Sequence, residues 1–145
     1  MTFAADIARF ATVARANIDQ ATRYAGVLAA QSVIMRSPVG NPDLWKHPRK
    51  GYVGGRFRGN WVLGIGAINT ETTENVDPAG SNTLMQFAQG MANQRTGQTY
   101  YVTNSLPYAI PLEYGWSSQA PGGMVRLAIA ELPGAIESYA ASLNR

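Results

Sequence analysis

The 145-residue sequence contains no cysteine and one histidine, His47. Without cysteine there are no disulfides, no thiolate nucleophiles and none of the common structural zinc sites. A nucleophilic triad would have only His47 as its base. That ring lies between Lys46 and Pro48 in a basic stretch, where a solvated imidazole is the ordinary outcome, and no Gly-x-Ser-x-Gly elbow accompanies it. One histidine and scattered carboxylates do not make a metal-ligand cluster. Charge is also scarce, at 14% of residues against about a quarter in ordinary soluble domains. So thin a charged layer suits a protein whose surface is mostly covered in an assembly. No run approaches the ~18 apolar residues of a membrane span. Asp6 interrupts the N-terminal apolar residues with no basic region before them, so no secretory signal is expected.

What is present is a chain of one-domain length that is 46% apolar, enough for a real core. Residues 3–35 read as one long helix, with Phe3, Ile7, Phe10, Ala14, Ile18, Ala21, Ala25 and Leu28 recurring at spacings of three and four. At ~1.5 Å per residue it would be about 50 Å long, beyond the roughly 40 Å of a globule this size. Part of it is therefore expected to project or to pack on another subunit, the alternative for most of its length being a helix that caps its own sheet. Pro38 ends the helix near residue 36. Residues 37–60 are dense in proline, glycine and charge but carry Leu44, Trp45, Tyr52, Val53 and Phe57. They are expected to form an extended basic arm that orders on contact.

Residues 61–145 read as an α+β core. Strands are expected at 61–68, with Trp61 internal, and at 98–104. Between them lies a short amphipathic helix ending near residue 93, capped by Asp77 with Pro78 in its first turn, or alternatively by Ser81. A turn or short helix over 107–114 is stopped by Gly115. The last helix spans 122–144, and Pro133-Gly134 should kink or split it. The fold class is a single α+β domain: a long N-terminal helix, a small mainly antiparallel sheet, a short middle helix and a C-terminal helix.

Residues 105–126, SLPYAIPLEYGWSSQAPGGMVR, stand out. Proline, glycine and aromatics in that density specify a fixed corner rather than a flexible loop. Glu113 is the acid among its aromatics. It could be a perturbed acid–base group, or it could pair with Arg56, Arg58 or Arg126 to fix the corner or join subunits; the second role is favoured because no partner for catalysis is visible. The glycines of LGIGA and GYVGGRFRGN match neither a dinucleotide nor a phosphate-loop pattern. Six of the twelve basic residues, Arg36, Lys46, Arg49, Lys50, Arg56 and Arg58, interleave with Trp45, Tyr52 and Phe57, a mixture suited to tracking and stacking on nucleic acid. Net charge is only +3, and a basic arm equally suits an acidic protein ring.

Several short segments resemble one family. Ser37-Pro38-Val39 followed by Gly55-Arg56-Phe57-Arg58-Gly59-Asn60-Trp61 resembles the pro-val … gly-arg-phe-arg … trp signature of the tail-completion (neck or minor tail) proteins of long-tailed bacteriophages. Asn104 to Tyr108, the Leu112-Glu113-Tyr114-Gly115 corner and Gln119-Ala120-Pro121-Gly122-Gly123-Met124-Val125-Arg126 resemble its later motifs. Residues 40–54 depart from the family's shorter link and resemble a subgroup carrying an insertion. The resemblance implies a non-enzymatic virion protein without cofactor, assembled in the host cytoplasm. It would form a homo-oligomeric ring, expected to be six-fold, at the head–tail junction through which DNA passes. Tail terminator, tail tube or head–tail connector proteins are the implied partners. Arg49, Lys50, Tyr52, Arg56, Arg58, Tyr108, Glu113, Tyr114 and Trp116 are the expected interface residues. The alternative is a DNA-binding module using residues 36–58.

Overall fold

The computed structural model describes residues 2–144. Its first element, helix α1 (Phe3–Arg36), starts where the Thr2 hydroxyl accepts the Ala5 N–H at 3.2 Å. It runs unbroken to Ser37, whose extended backbone meets the demand of Pro38. The long helix is as expected, but its covered face is not. The buried core residues of α1 are Ala30, Val33 and Ile34, off the stripe from Phe3 to Leu28, because two different elements pack on the C-terminal half of the helix. Residues 2–13 are all exposed, Phe3 to 81%.

Strands β1 (Val62–Ile65) and β2 (Tyr100–Thr103) pair antiparallel, with Leu63 opposite Val102. Both are shorter than expected, since Gly66 turns the chain after Ile65 with a φ of 74°. Trp61 is buried, as expected, and its indole N–H donates to the Ser37 hydroxyl at 2.7 Å, which in turn donates to the Val33 carbonyl. Helix α2 (Ser81–Met91) begins later than Asp77-Pro78 suggested. Asp77 still serves it from outside: the buried carboxylate accepts the Thr83 N–H and hydroxyl, each at 2.7 Å, and the Gly80 N–H at 3.2 Å.

A five-residue helix, α3 (Ala109–Glu113), leads through the corner to α4 (Val125–Leu143). Pro133 does not split α4, which is continuous across it. Proline deprives the Ile129 carbonyl of its helical donor, but Ile129 and Pro133 are both exposed, so water can serve instead. Helix α4 lies antiparallel along α1. The Glu131 carboxylate meets Arg36 and Ser32, Tyr139 stacks on Tyr24 at 3.9 Å between ring centroids, and the Leu143 carbonyl accepts from Asn17. The core between α1, α2, the sheet and α4 contains Phe57, Phe87, Leu106, Met124 and Ala128.

Candidate interaction surface

The corner is held by one carboxylate. No side chain of α4's own first turn caps it; Met124 stands at the cap position. Glu113, at the end of α3, fills that role from eleven residues upstream: its two oxygens accept the N–H groups of Met124 at 2.8 Å, Val125 at 2.9 Å and Arg126 at 3.1 Å. These are donors that a helix start leaves unpaired. The Arg126 guanidinium closes the loop, donating to the Glu113 backbone carbonyl at 2.6 Å and lying 3.3 Å from the carboxylate. Burial pushes the Glu113 carboxyl upward, but the three backbone donors and Arg126 outweigh it and hold the group below the usual carboxylate range. Of the three arginines considered for Glu113, Arg126 is the partner. Gly123 is required where it stands: with φ at 83°, any side chain there would press on the carbonyl and carboxylate of Glu113.

The basic arm is smaller than expected. Residues 37–40 and 54–60 are built into the body; Phe57 and Asn60 are buried. Phe57 is therefore a core side chain, packed edge-on against Trp61, not a surface for base stacking. Only residues 41–53 form an excursion, and its ends touch: a side chain on Gly54 would strike the Gly40 carbonyl oxygen. Within it Trp45 leans on Tyr52 with ring centroids 4.8 Å apart, and Lys46, His47, Arg49 and Lys50 are exposed. Gln119 ties corner to arm, its side-chain amide accepting the Val39 N–H at 3.0 Å and donating to the Val39 carbonyl at 2.9 Å. Between excursion and corner lies a groove of about 770 Å³ with Phe57, Tyr108 and Leu112 among its lining.

Of the nine expected interface residues, Arg49, Tyr52, Arg56, Tyr108 and Trp116 line this groove. Trp116 is 80% exposed, and Tyr114 projects beside it under the Arg126 guanidinium. Lys50 stands outside, on the exposed turn of the excursion. Arg56 is held by Glu74 at 2.9 Å and by the Thr73 carbonyl. Burial, the largest influence on the Tyr108 hydroxyl, raises its pKa, with Arg56 acting the other way. Arg58 points inward and clamps three carbonyls, of Pro78, Met35 and Ser37. Burial lowers its pKa. Glu113 and Arg58 thus shape the surface from behind, while Trp116 and Tyr114 form it.

Sequence reading missed the internal fasteners. Asn60, fully buried, satisfies its amide on the carbonyls of Arg56 and Thr73 and accepts the Thr73 N–H at 2.7 Å. Glu131 accepts from Arg36 and Ser32, which together draw its carboxyl down to about 2. Neither pairing leaves a periodic signal in the chain. Among the described residues no group of three histidines or acids could hold a metal ion, and no helix is long and apolar enough to cross a membrane. No family model, curated protein or solved structure matches this chain.

Proposed function

We propose that this protein is a structural component of a phage virion: a ring-forming tail-completion or neck subunit at the head–tail junction, with no turnover of its own. One observation carries this: large apolar side chains stand out in solvent on a rigidly held corner. Ile110, Tyr114 and Trp116 are exposed by more than two-thirds of their area, within a segment fixed by the Glu113 cap and the Gln119 clasp. Aromatic side chains presented on a pre-ordered frame lose little conformational freedom on docking, which favours binding. The segments that resemble tail-completion proteins support the same reading, because they supply this frame: Ser37, Phe57, Asn60, Trp61, Asn104, Glu113 and Gln119 each make a fold-holding contact. A ring subunit would meet its neighbours or the tail tube through the groove and corner.

The test is incubation of purified protein with phage tail tubes, followed by electron microscopy of the tube ends. A ring of added density is expected on tubes mixed with the native protein and none with Trp116→Ala. Protein that stays strictly monomeric at high concentration and ignores tubes would refute the assignment.

A DNA-contacting arm is the second reading, favoured by the exposure of Lys46, Arg49 and Lys50 around the Trp45–Tyr52 pair. It predicts DNA affinity that falls steeply with salt and is lost when Arg49 and Lys50 are neutralised. Arg56, held by Glu74, would contribute less than its position in the motif suggests.

A further inference from the structure

Helix α1 outruns its partner. Helix α4 ends beside Asn17, leaving about 20 Å of α1 with no other helix or strand beside it among the described residues. The uncovered segment is not polar. Asn17 and Tyr24, two residues of α1 that contact α4, continue toward the N-terminus at seven-residue spacing as Phe10 and Phe3. Two turns separate successive members, so all four lie on nearly the same face. Ile7 and Ala14 fill the alternate positions of the same stripe. Phe3, Ile7 and Phe10 are 81%, 51% and 72% exposed. The charges nearby, Asp6 and Arg9, pair with each other at 2.9 Å.

We propose that this stripe binds the same stripe of a second copy, the two α1 helices crossing antiparallel to make a two-fold dimer of the free protein. The occupant follows from the seam. At Asn17 and Tyr24 this seam already accepts an antiparallel helix, α4, and an antiparallel α1 from a partner extends that packing in line. The end of α4 also sets the register. A partner helix on the same seam must stop short of Asn17, so its Phe3 faces Ala14 and its Ile7 faces Phe10. Two-fold symmetry repeats both layers, so large Phe3 meets small Ala14 at each end and Ile7 meets Phe10 in the middle. The positive N-terminal end of the partner's α1 then faces the negative C-terminal end of α4. About 800 Å² of mostly apolar surface would be removed from water, less than the roughly 1,000 Å² of a lasting interface, so the pairing is a weak, reversible one. This pairing is isologous and needs no virion. It is independent of ring formation, which requires a head-to-tail contact elsewhere on the surface.

Analytical ultracentrifugation over about 1–200 μM is the primary measurement. Native protein should pass from monomer to dimer. Phe10→Glu and Ile7→Glu should each raise the dissociation constant at least about a hundred-fold, because every dimer loses two buried apolar side chains. Both positions lie beyond the core, so helical circular dichroism should be retained, as should the melting temperature at concentrations where the native protein is monomeric. The chain has no cysteine, so orientation is read directly. The double variant Phe3→Cys/Ala14→Cys should oxidise to a covalent dimer, whereas Phe3→Cys alone should not. Native protein that is monomeric throughout overturns the proposal, as does efficient cross-linking of the single variant, which signals parallel helices. A larger oligomer that survives Phe10→Glu also overturns it, while leaving the ring assignment standing. Failure of tail-tube binding by a protein that dimerises as described would instead count against the ring alone.

Discussion

Replacing Glu113 by glutamine removes one charge and leaves the volume unchanged. In the native protein the carboxylate accepts three backbone N–H groups of α4 and one guanidinium N–H. Glutamine keeps one oxygen and turns an NH₂ group toward donors that have no other acceptor. Loss of a helix cap costs on the order of 1 kcal/mol, and loss of negative charge at a helix N-terminus a further few tenths to 1 kcal/mol. The side chain is only 16% exposed, so water restores little, and a total of about 2 kcal/mol is expected. For a domain of this size that is a fall of about 6–8 °C in melting temperature at pH 7.

The pH dependence identifies the cause. Glu113 has a folded pKa below its ordinary 4.5, so the native state favours the ionised form. Its stabilisation is complete above the unfolded pKa and disappears as pH falls through the lower folded value. The gap in melting temperature between native protein and Glu113→Gln should thus be constant from pH 8 to about 5.5 and close progressively below 4.5. Other titrating groups, Glu131 included, are common to both proteins and cancel in the difference. Differential scanning calorimetry at matched pH and ionic strength reads it. No deficit at neutral pH, or one that persists unchanged to pH 3, would refute the capping role.

Glu131→Gln should lower the melting temperature at pH 7 modestly, and the difference from native should vanish as pH falls from 4.5 toward about 2, the range in which the native carboxylate takes up its proton. Because that pair is exposed, 0.5 M salt should shrink the effect, as thermal melts would show. Gly54→Ala should cost about 2–4 kcal/mol in urea denaturation, since the added methyl strikes the Gly40 carbonyl and the Val39 side chain. Trp116→Ala, at an 80% exposed position, should leave urea stability within about 0.5 kcal/mol while abolishing attachment to tail tubes.

The features legible in the sequence were those written in local pattern. The length of α1 follows from an alanine-rich, proline-free run, and its projection from simple arithmetic on that length. The buried Trp61 and the stop at Gly115 follow from alternation and from glycine placement. What was not legible depends on contacts distant in sequence. Asp77 and Glu113 both cap helices, from outside the first turn of each, so a search for a polar residue immediately before the apolar run finds Asp77 at the wrong offset and never considers Glu113. Phe57 and Arg58 sit in a basic, glycine-rich stretch that reads as solvent-exposed. They are drawn inward because Gly40 and Gly54 bring the ends of the excursion together and leave the rest of the stretch inside the body.

That closure separates two kinds of residue in the glycine-rich arm and the corner. Ser37, Asn60, Glu113 and Gln119 spend their polar groups on backbone carbonyls and N–H groups of the chain itself, leaving little capacity for a partner. Trp116 and Ile110 are left in water, and Tyr114 stands largely exposed beside them under the Arg126 guanidinium. Selection for stability alone does not require large apolar groups at such positions, because each could be polar without disturbing the core. Their position on a frame that six side-chain hydrogen bonds hold still, two of Gln119 with Val39 and four of Glu113 with the start of α4, is what a docking surface requires. A motif in this chain therefore marks where the backbone is fixed, and on the proposed reading the side chains held out between its fixed points are the ones that would meet a partner.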